Sequence, residues 1–251
     1  MSYTAFCSRK GKATMKVVTA NPRAGITGLI QKADLKGLLE RAAEVHGHYC
    51  PGLASGVKAA YAGASRLDLP DSEGMERVMA EVECNNCFVD GIQVVTGCTF
   101  GNNALIYRDL GKTAVTLYRR GEGSGLRIAV KNIAPGVGLS DAEQRDAQRL
   151  FEKAVKQRQE LSEEEGHRFR QLWAKSGHAL LEQPDEDVLE IESVEVAEPE
   201  YAPIYDSVTC SACREKVMET RVRLRSGEPV CLTCAGERHW LVDGSGIRLS
   251  Q

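Results

Sequence analysis

What this chain has little of narrows its class before any motif is read. Aromatic side chains are sparse, 6% of its 251 residues. No run approaches the roughly 18 consecutive apolar residues of a membrane span, and no membrane partner is expected. The N-terminal stretch carries scattered cations (Arg9, Lys10, Lys12, Lys16) without the apolar core or cleavage pattern of a secretory signal. Cys7 has no apolar run before it, against a lipoprotein anchor, and the expected location is the cytoplasm. Nothing has the form of a phosphate loop, a dinucleotide fingerprint or a serine triad, which disfavours nucleotide chemistry. Net charge is also small, −3, which gives no sign of an obligatory polyanionic partner. It divides unevenly, with −10 on residues 182–206, which hold no Lys or Arg, and +7 on the rest.

Cysteine is what the chain has in quantity, nine residues in all. In a reducing compartment nine thiols argue for metal or thiol chemistry rather than disulfides. Cys210 and Cys213 form one CxxC pair, Cys231 and Cys234 another, with residues 214–230 between them. A two-residue gap lets both thiolates turn toward one ion, and four of them close a tetrahedral structural zinc site of the treble-clef or ribbon kind. A redox dithiol pair and a rubredoxin-like iron site are the other chemistries open to four cysteines. Val222 and Leu224 predict a strand of a hairpin that turns at Ser226 and Gly227. Arg221, Arg223 and Arg225 recur at period two on it, either a solvated face, a dock for the acidic segment, or a contact to nucleic acid phosphates.

The second cysteine set is less regular. Asp34 caps a predicted helix over 35–45, which must stop at Gly47, and Pro51 opens the next helix, which runs to about Leu67 and is rich in small residues. His46, His48 and Cys50 lie in that corner, and the positive end of the second helix favours a Cys50 thiolate. A strand over 78–82 ends near Cys84, which reads as a packing cysteine. A short helix over 87–96 starts at Cys87, with Asp90 one turn along, where it can orient an imidazole or act as a base. Cys98 follows that helix. Imidazole and thiolate together suit zinc, iron or copper, so a second transition metal is expected at His48 and Cys50, completed by Cys87 or Cys98, with Tyr49 as a neighbouring group.

Strands over 105–107, 113–118 and 126–130 follow. Strands clustered after helices predict an α+β domain with a largely antiparallel sheet packed with helices. Two more helices begin at Asp141 and at Ser162, the latter with the Ser-x-x-Glu spacing of a capping box. The expected organisation is an N-terminal arm over 1–33, a core with helical extension over 34–183, an acidic linker over 184–207 that holds a short edge strand at 189–191, and a zinc module over 208–251.

The segments HGHYCPGLASG (46–56) and CFVDGIQVVTGCTFGNNAL (87–105), with the C-terminal CxxC pairs, resemble the FmdE family, named as a formylmethanofuran dehydrogenase component. The resemblance implies an α+β core, a homodimer and, in some members, a C-terminal treble-clef zinc finger. It points to His48, Cys50, Cys87, Asp90 and Cys98 as site residues, with His46 also matching. It implies a metal-binding accessory protein or enzyme of molybdenum or tungsten formylmethanofuran dehydrogenase-type one-carbon metabolism, acting on a small-molecule ligand. The alternatives are a metal or molybdenum-cofactor carrier that docks a partner enzyme through its zinc module, and a zinc-finger regulator of nucleic acid. Asn102 and Asn103 depart from the Gly/Lys-rich turn expected there, which argues against anion binding by that turn.

Overall fold

A computed structural model describes residues 21–69, 75–133 and 135–251. Eight helices and a five-stranded sheet with three small hairpins make up the described residues. The helices are α1 (Ala24–Gln31), α2 (Leu35–His46), α3 (Pro51–Arg66), α4 (Cys87–Thr96), α5 (Asp141–Phe151), α6 (Glu163–Glu182), α7 (Asp185–Val188) and α8 (Leu232–Ala235). Helix α5 runs on into a π turn, Glu152–Lys156. The main sheet is built from β1 (Val78–Val82), β2 (Leu105–Tyr107), β3 (Ala114–Arg119), β4 (Ser124–Val130) and β5 (Leu189–Glu195). Its order is β2-β1-β3-β4-β5, with β1 and β2 parallel and every other pair antiparallel. It is the α+β architecture with a largely antiparallel sheet that the element order predicts.

Helix α3 is the hub. Its small residues let α4 approach until a methyl group at Gly56 would overlap the Phe88 carbonyl, and one at Gly91 would overlap the α3 backbone at Gly56 and Val57. Leu53, Ala54, Val57, Ala59 and Ala60 are wholly buried there. Lys58, also on α3, is 3% exposed. Its ammonium is satisfied by the Leu181 carbonyl and the Asp185 carboxylate, both at 3.2 Å. That ties α3 to the ends of α6 and α7.

Two predicted boundaries need correction. Of the N-terminal arm, residues 1–20 lie outside the described residues, but 24–31 are helical. Ile26, Leu29 and Ile30 pack on the core, and the Arg23 guanidinium donates to the Val94 and Val95 carbonyls at the end of α4. The acidic stretch is not a linker before residue 196, because α7 and β5 belong to the core. Strand β5 pairs along its length with β4, from Leu189 opposite Val130 to Glu195 opposite Ser124. Two carboxylates of the stretch meet core cations, Glu192 of β5 with Arg127 at 3.1 Å and Asp185 of α7 with Arg66 at 3.0 Å. The segment thus docks on the core, not on the arginines of the zinc module.

The C-terminal region holds β6 (Ser207–Thr209), β7 (Lys216–Met218), β8 (Val222–Arg225), β9 (Glu228–Cys231), β10 (Trp240–Asp243) and β11 (Gly246–Leu249). The β8–β9 hairpin turns at Ser226 and Gly227, both at positive φ (51° and 86°), as its residues predict. The β10–β11 hairpin returns to the core. Asn85 donates to the Asp243 carbonyl (2.6 Å), and Asp109 accepts from the Ile247 N–H (2.8 Å). No helix among the described residues is long and apolar enough to cross a membrane.

Candidate metal centre and adjoining cleft

Three helix ends converge on one point. Helix α2 stops at Gly47, whose φ of +88° a side chain would resist. That turn holds His46 and His48 beside Cys50, which caps α3 by accepting from the Leu53 N–H (3.3 Å). Cys87 opens α4, where the Asn86 side chain is the cap. Gly52 lets the two corners close, since a Cβ there would stand 3.1 Å from the Cys87 Cβ. Helix α6 backs the site at Gly177, where a Cβ would stand 3.2 Å from the Cys50 carbonyl group. The result brings His46, His48, Cys50 and Cys87 together, with a ligand atom of each within 4.8 Å of all the others.

The two imidazoles differ. His46 Nδ1 lies 2.7 Å from Asp90 Oδ2, and Asp90 Oδ1 accepts from the Gln93 amide at 3.1 Å. His46 Nε2 is thereby aimed into the group, 3.8 Å from Cys50 Sγ. A carboxylate behind a ligating imidazole fixes its tautomer and raises its basicity. His48 is exposed and packs its ring on His46 at a centroid distance of 4.4 Å. Among the described residues, no side chain holds its nitrogens in the way Asp90 holds His46.

The thiols are also unequal. A hydrogen bond from Cys50, aided by the neighbouring His46 and His48, pulls Cys87 down to about 5. Donating that bond, together with burial, pushes Cys50 up. Against the expected Cys50 thiolate, the shifts favour the thiol at Cys50 and the anion at Cys87. Cys50 is 1% exposed, and the helix N-terminus does not outweigh its loss of water and its neighbouring anion. Burial, then His46, lowers His48 below the ordinary imidazole range, which favours the neutral ligating form. Two imidazoles and two sulfurs fit zinc or a related ion. Metal–ligand bonds of about 2.0–2.3 Å put tetrahedral ligand atoms about 3.3–3.8 Å apart, and the donors here lie within 4.8 Å of one another, Cys50 Sγ and His46 Nε2 at 3.8 Å.

Cys98 does not join them. It is fully buried, donates to the Val78 carbonyl (3.3 Å) and is raised to about 11 by burial, the profile of a packing cysteine. Cys84 is likewise outside the group, with its thiol on the Asn86 side chain. Tyr49 is beside the site, its ring 5.5 Å from that of His178. Asn102 pins its own turn, accepting from the Thr99 and Ala104 N–H groups and donating to the Gly97 carbonyl.

A cleft of about 1600 Å³ opens from the cluster. Its far wall is aromatic, with Trp173 5.3 Å from Phe169 and 5.7 Å from Phe151 between ring centroids. Sequence reasoning missed this wall. The available signal was three of the chain's few aromatics within the otherwise charged helices over 141–181.

At the C-terminus, Cys210, Cys213, Cys231 and Cys234 also bring their sulfurs within 4.8 Å of one another. The Cys231 N–H donates to Cys210 Sγ (3.3 Å) and the Cys234 N–H to Cys231 Sγ (3.4 Å). The arginine row is engaged locally. Arg225 donates to the Ala235 carbonyl, and Arg221 to the Thr220 hydroxyl.

Residues 45–190 match the sequence profile of FmdE, described by its place in the molybdenum formylmethanofuran dehydrogenase operon. The chain belongs to the FmdE family. Residues 203–238 match the prokaryotic dksA/traR C4-type zinc finger, so the four C-terminal cysteines are those of a zinc finger joined to the FmdE core. A probable S-adenosyl-L-methionine-binding protein of Archaeoglobus fulgidus is 41% identical over 220 residues, which are 86% of this chain and 57% of the relative. The chain thus spans little more than half of that relative's length. A crystal structure of a tungsten formylmethanofuran dehydrogenase FmdE-like protein from Syntrophus aciditrophicus aligns with 80% of this FmdE chain and 92% of its own, at 24% identity and a TM-score of 0.48.

Proposed function

We propose that the core of this FmdE protein is a metal-dependent site for a small molecule that enters by the cleft and takes the coordination position of His48. The activity is that of an accessory protein or enzyme beside a molybdenum or tungsten formylmethanofuran dehydrogenase. The observation that carries the reading is the asymmetry of the four donors. His46 is braced by Asp90, Cys50 by the Leu53 N–H, and Cys87 by its place at the start of α4. His48 is exposed and lines the cleft. Three braced ligands and one exchangeable ligand are what a site needs if it is to offer an open position, unlike the four thiolates of the zinc finger. A bound ion would supply Lewis acidity to a coordinated oxygen, nitrogen or sulfur. Elemental analysis of purified protein tests the reading. The wild type should hold two ions per chain and the Cys50→Ala/Cys87→Ala variant one. A wild type holding a single ion, unchanged in the variant, overturns it.

A second reading takes up the name of the archaeal relative, with S-adenosyl-L-methionine as the ligand. Phe151, Phe169 and Trp173 offer an adenine ring a stacking surface, which favours it. Calorimetric titration of the metal-loaded protein with S-adenosyl-L-methionine, repeated with Trp173→Ala, should then give saturable binding that the substitution weakens. No heat at millimolar ligand rejects it.

A further inference from the structure

The cleft carries more than an apolar wall. The Trp173 Nε1–H is buried and has no acceptor among the described residues. An unpaired buried donor is unfavourable, and Trp173 lines the cleft, so a ligand acceptor that reaches the indole nitrogen would relieve that cost. Of the described cations in the lining, Lys156 is paired with Glu152 (2.9 Å) and Lys131 with the Glu186 carbonyl (2.5 Å). The exposed Arg170 guanidinium alone makes no hydrogen bond or ion pair with a described residue.

Arg170, Trp173 and Gly177 follow at helical spacing on one face of α6, the face that meets the site. At about 1.5 Å rise per residue, Trp173 stands roughly 6 Å, and Arg170 roughly 10 Å, along the axis from the level of Cys50. At the metal end the lining holds Glu40 and, a turn later, Glu44, the latter paired with Arg41 at 2.9 Å. An anionic group therefore finds its unpaired cation at the Arg170 end, not beside Glu40.

We propose that the cleft binds a flat aryl or heteroaryl acid about 10 Å long. Its neutral oxygen, nitrogen or sulfur donor faces His48, its ring system lies along the Phe151, Phe169 and Trp173 wall with an acceptor on Trp173 Nε1, and its carboxylate pairs with Arg170. The orientation at His48 rests on the metal-site reading above. The ring and carboxylate contacts stand without it.

The probe for the test is 6-hydroxy-2-naphthoate, whose hydroxyl and carboxylate lie at opposite ends of a flat two-ring body. The chain has two tryptophans, so Trp240→Phe assigns the Trp173 indole N–H signal in a proton–nitrogen correlation spectrum. Titrating the zinc-loaded full chain should move that signal saturably downfield. Arg170→Gln, and replacement of the probe by the neutral 6-hydroxy-2-naphthamide, should each weaken binding about tenfold or more, the loss of a charge-assisted bond. A Cys50→Ala/Cys87→Ala chain that still binds with that carboxylate preference supports the cleft proposal even where metal analysis has rejected the core ion. No saturable shift at millimolar probe overturns the proposal. So does equal binding of acid and amide that ignores Arg170→Gln. A shift produced by S-adenosyl-L-methionine and not by the naphthoate overturns it in favour of the nucleoside ligand.

Discussion

His46 and Asp90, 44 residues apart in the chain, are joined by a 2.7 Å contact between Nδ1 and Oδ2. The contact turns two helix ends into one rigid donor, since His46 closes α2 while Asp90 is in the first turn of α4. Removing such a brace typically costs 10–100-fold in metal affinity. Asp90→Ala should therefore lower affinity at the core by about that factor in a chelator competition, with the circular dichroism spectrum kept. Asp90→Asn, which retains an acceptor, should lose less. Equal affinity in all three proteins would remove Asp90 from the site.

His48 should behave differently. His48→Ala leaves His46, Cys50 and Cys87 in place, so a cobalt-substituted core should still form, with an added position for exogenous ligand. Its visible absorption should then respond to millimolar imidazole, while that of the wild type responds weakly. Loss of all core cobalt in His48→Ala would make His48 a structural ligand and remove the exchangeable position.

Acid stability should follow Glu83. The hydrogen bond from Arg127 holds the Glu83 carboxyl below its ordinary range, with bonds of 2.7 and 3.0 Å. A carboxyl that is more acidic when folded stabilises the fold above its unfolded value, near 4.3, and loses that contribution as pH falls through the lower folded value. Glu83→Gln should flatten the fall in denaturation midpoint below about pH 4.5 while costing stability at pH 7. A parallel acid limb in variant and wild type would contradict this.

The close crossing of α3 on α4 predicts a steric cost. Gly56→Ala drives a methyl group into the Phe88 carbonyl, and overpacking of this kind typically costs about 1–3 kcal/mol. The thermal midpoint should drop by several degrees, and metal content should fall with it because α3 and α4 each carry one site cysteine. An unchanged midpoint would mean the helices separate freely.

Much of this site was legible because its signals are local. Asp34, Gly47, Pro51 and the helical period define α2, α3 and the corner between them, and that corner contains three of the four donors. Cys87 and Asp90 were placed by the start and spacing of a short helix. What escaped depends on contacts distant in sequence. Whether Cys87 or Cys98 joins the group is decided by the direction of β1, whose Val78 carbonyl takes the Cys98 thiol. The opposite shifts of the two thiols follow from the hydrogen bond between Cys50 and Cys87 and from burial of Cys50. Strand β5 shows in the sequence only as a short edge strand at 189–191 within a linker, since an acidic run reads as solvated until Arg127, Arg66 and Lys58 are found opposite the stretch. The aromatic wall had no motif at all, because three rings on α5 and α6 become a surface only when those helices pack.

The central claim is a second ion among His46, His48, Cys50 and Cys87, and anomalous diffraction at the zinc edge addresses it most directly. Crystals of the full chain should give two peaks per protomer. One should lie within about 2.3 Å of the four C-terminal sulfurs, and the other about 2.0–2.3 Å from His46 Nε2 and the sulfurs of Cys50 and Cys87. A single peak at the zinc finger, with the core cluster free of anomalous signal at every transition-metal edge, would contradict it.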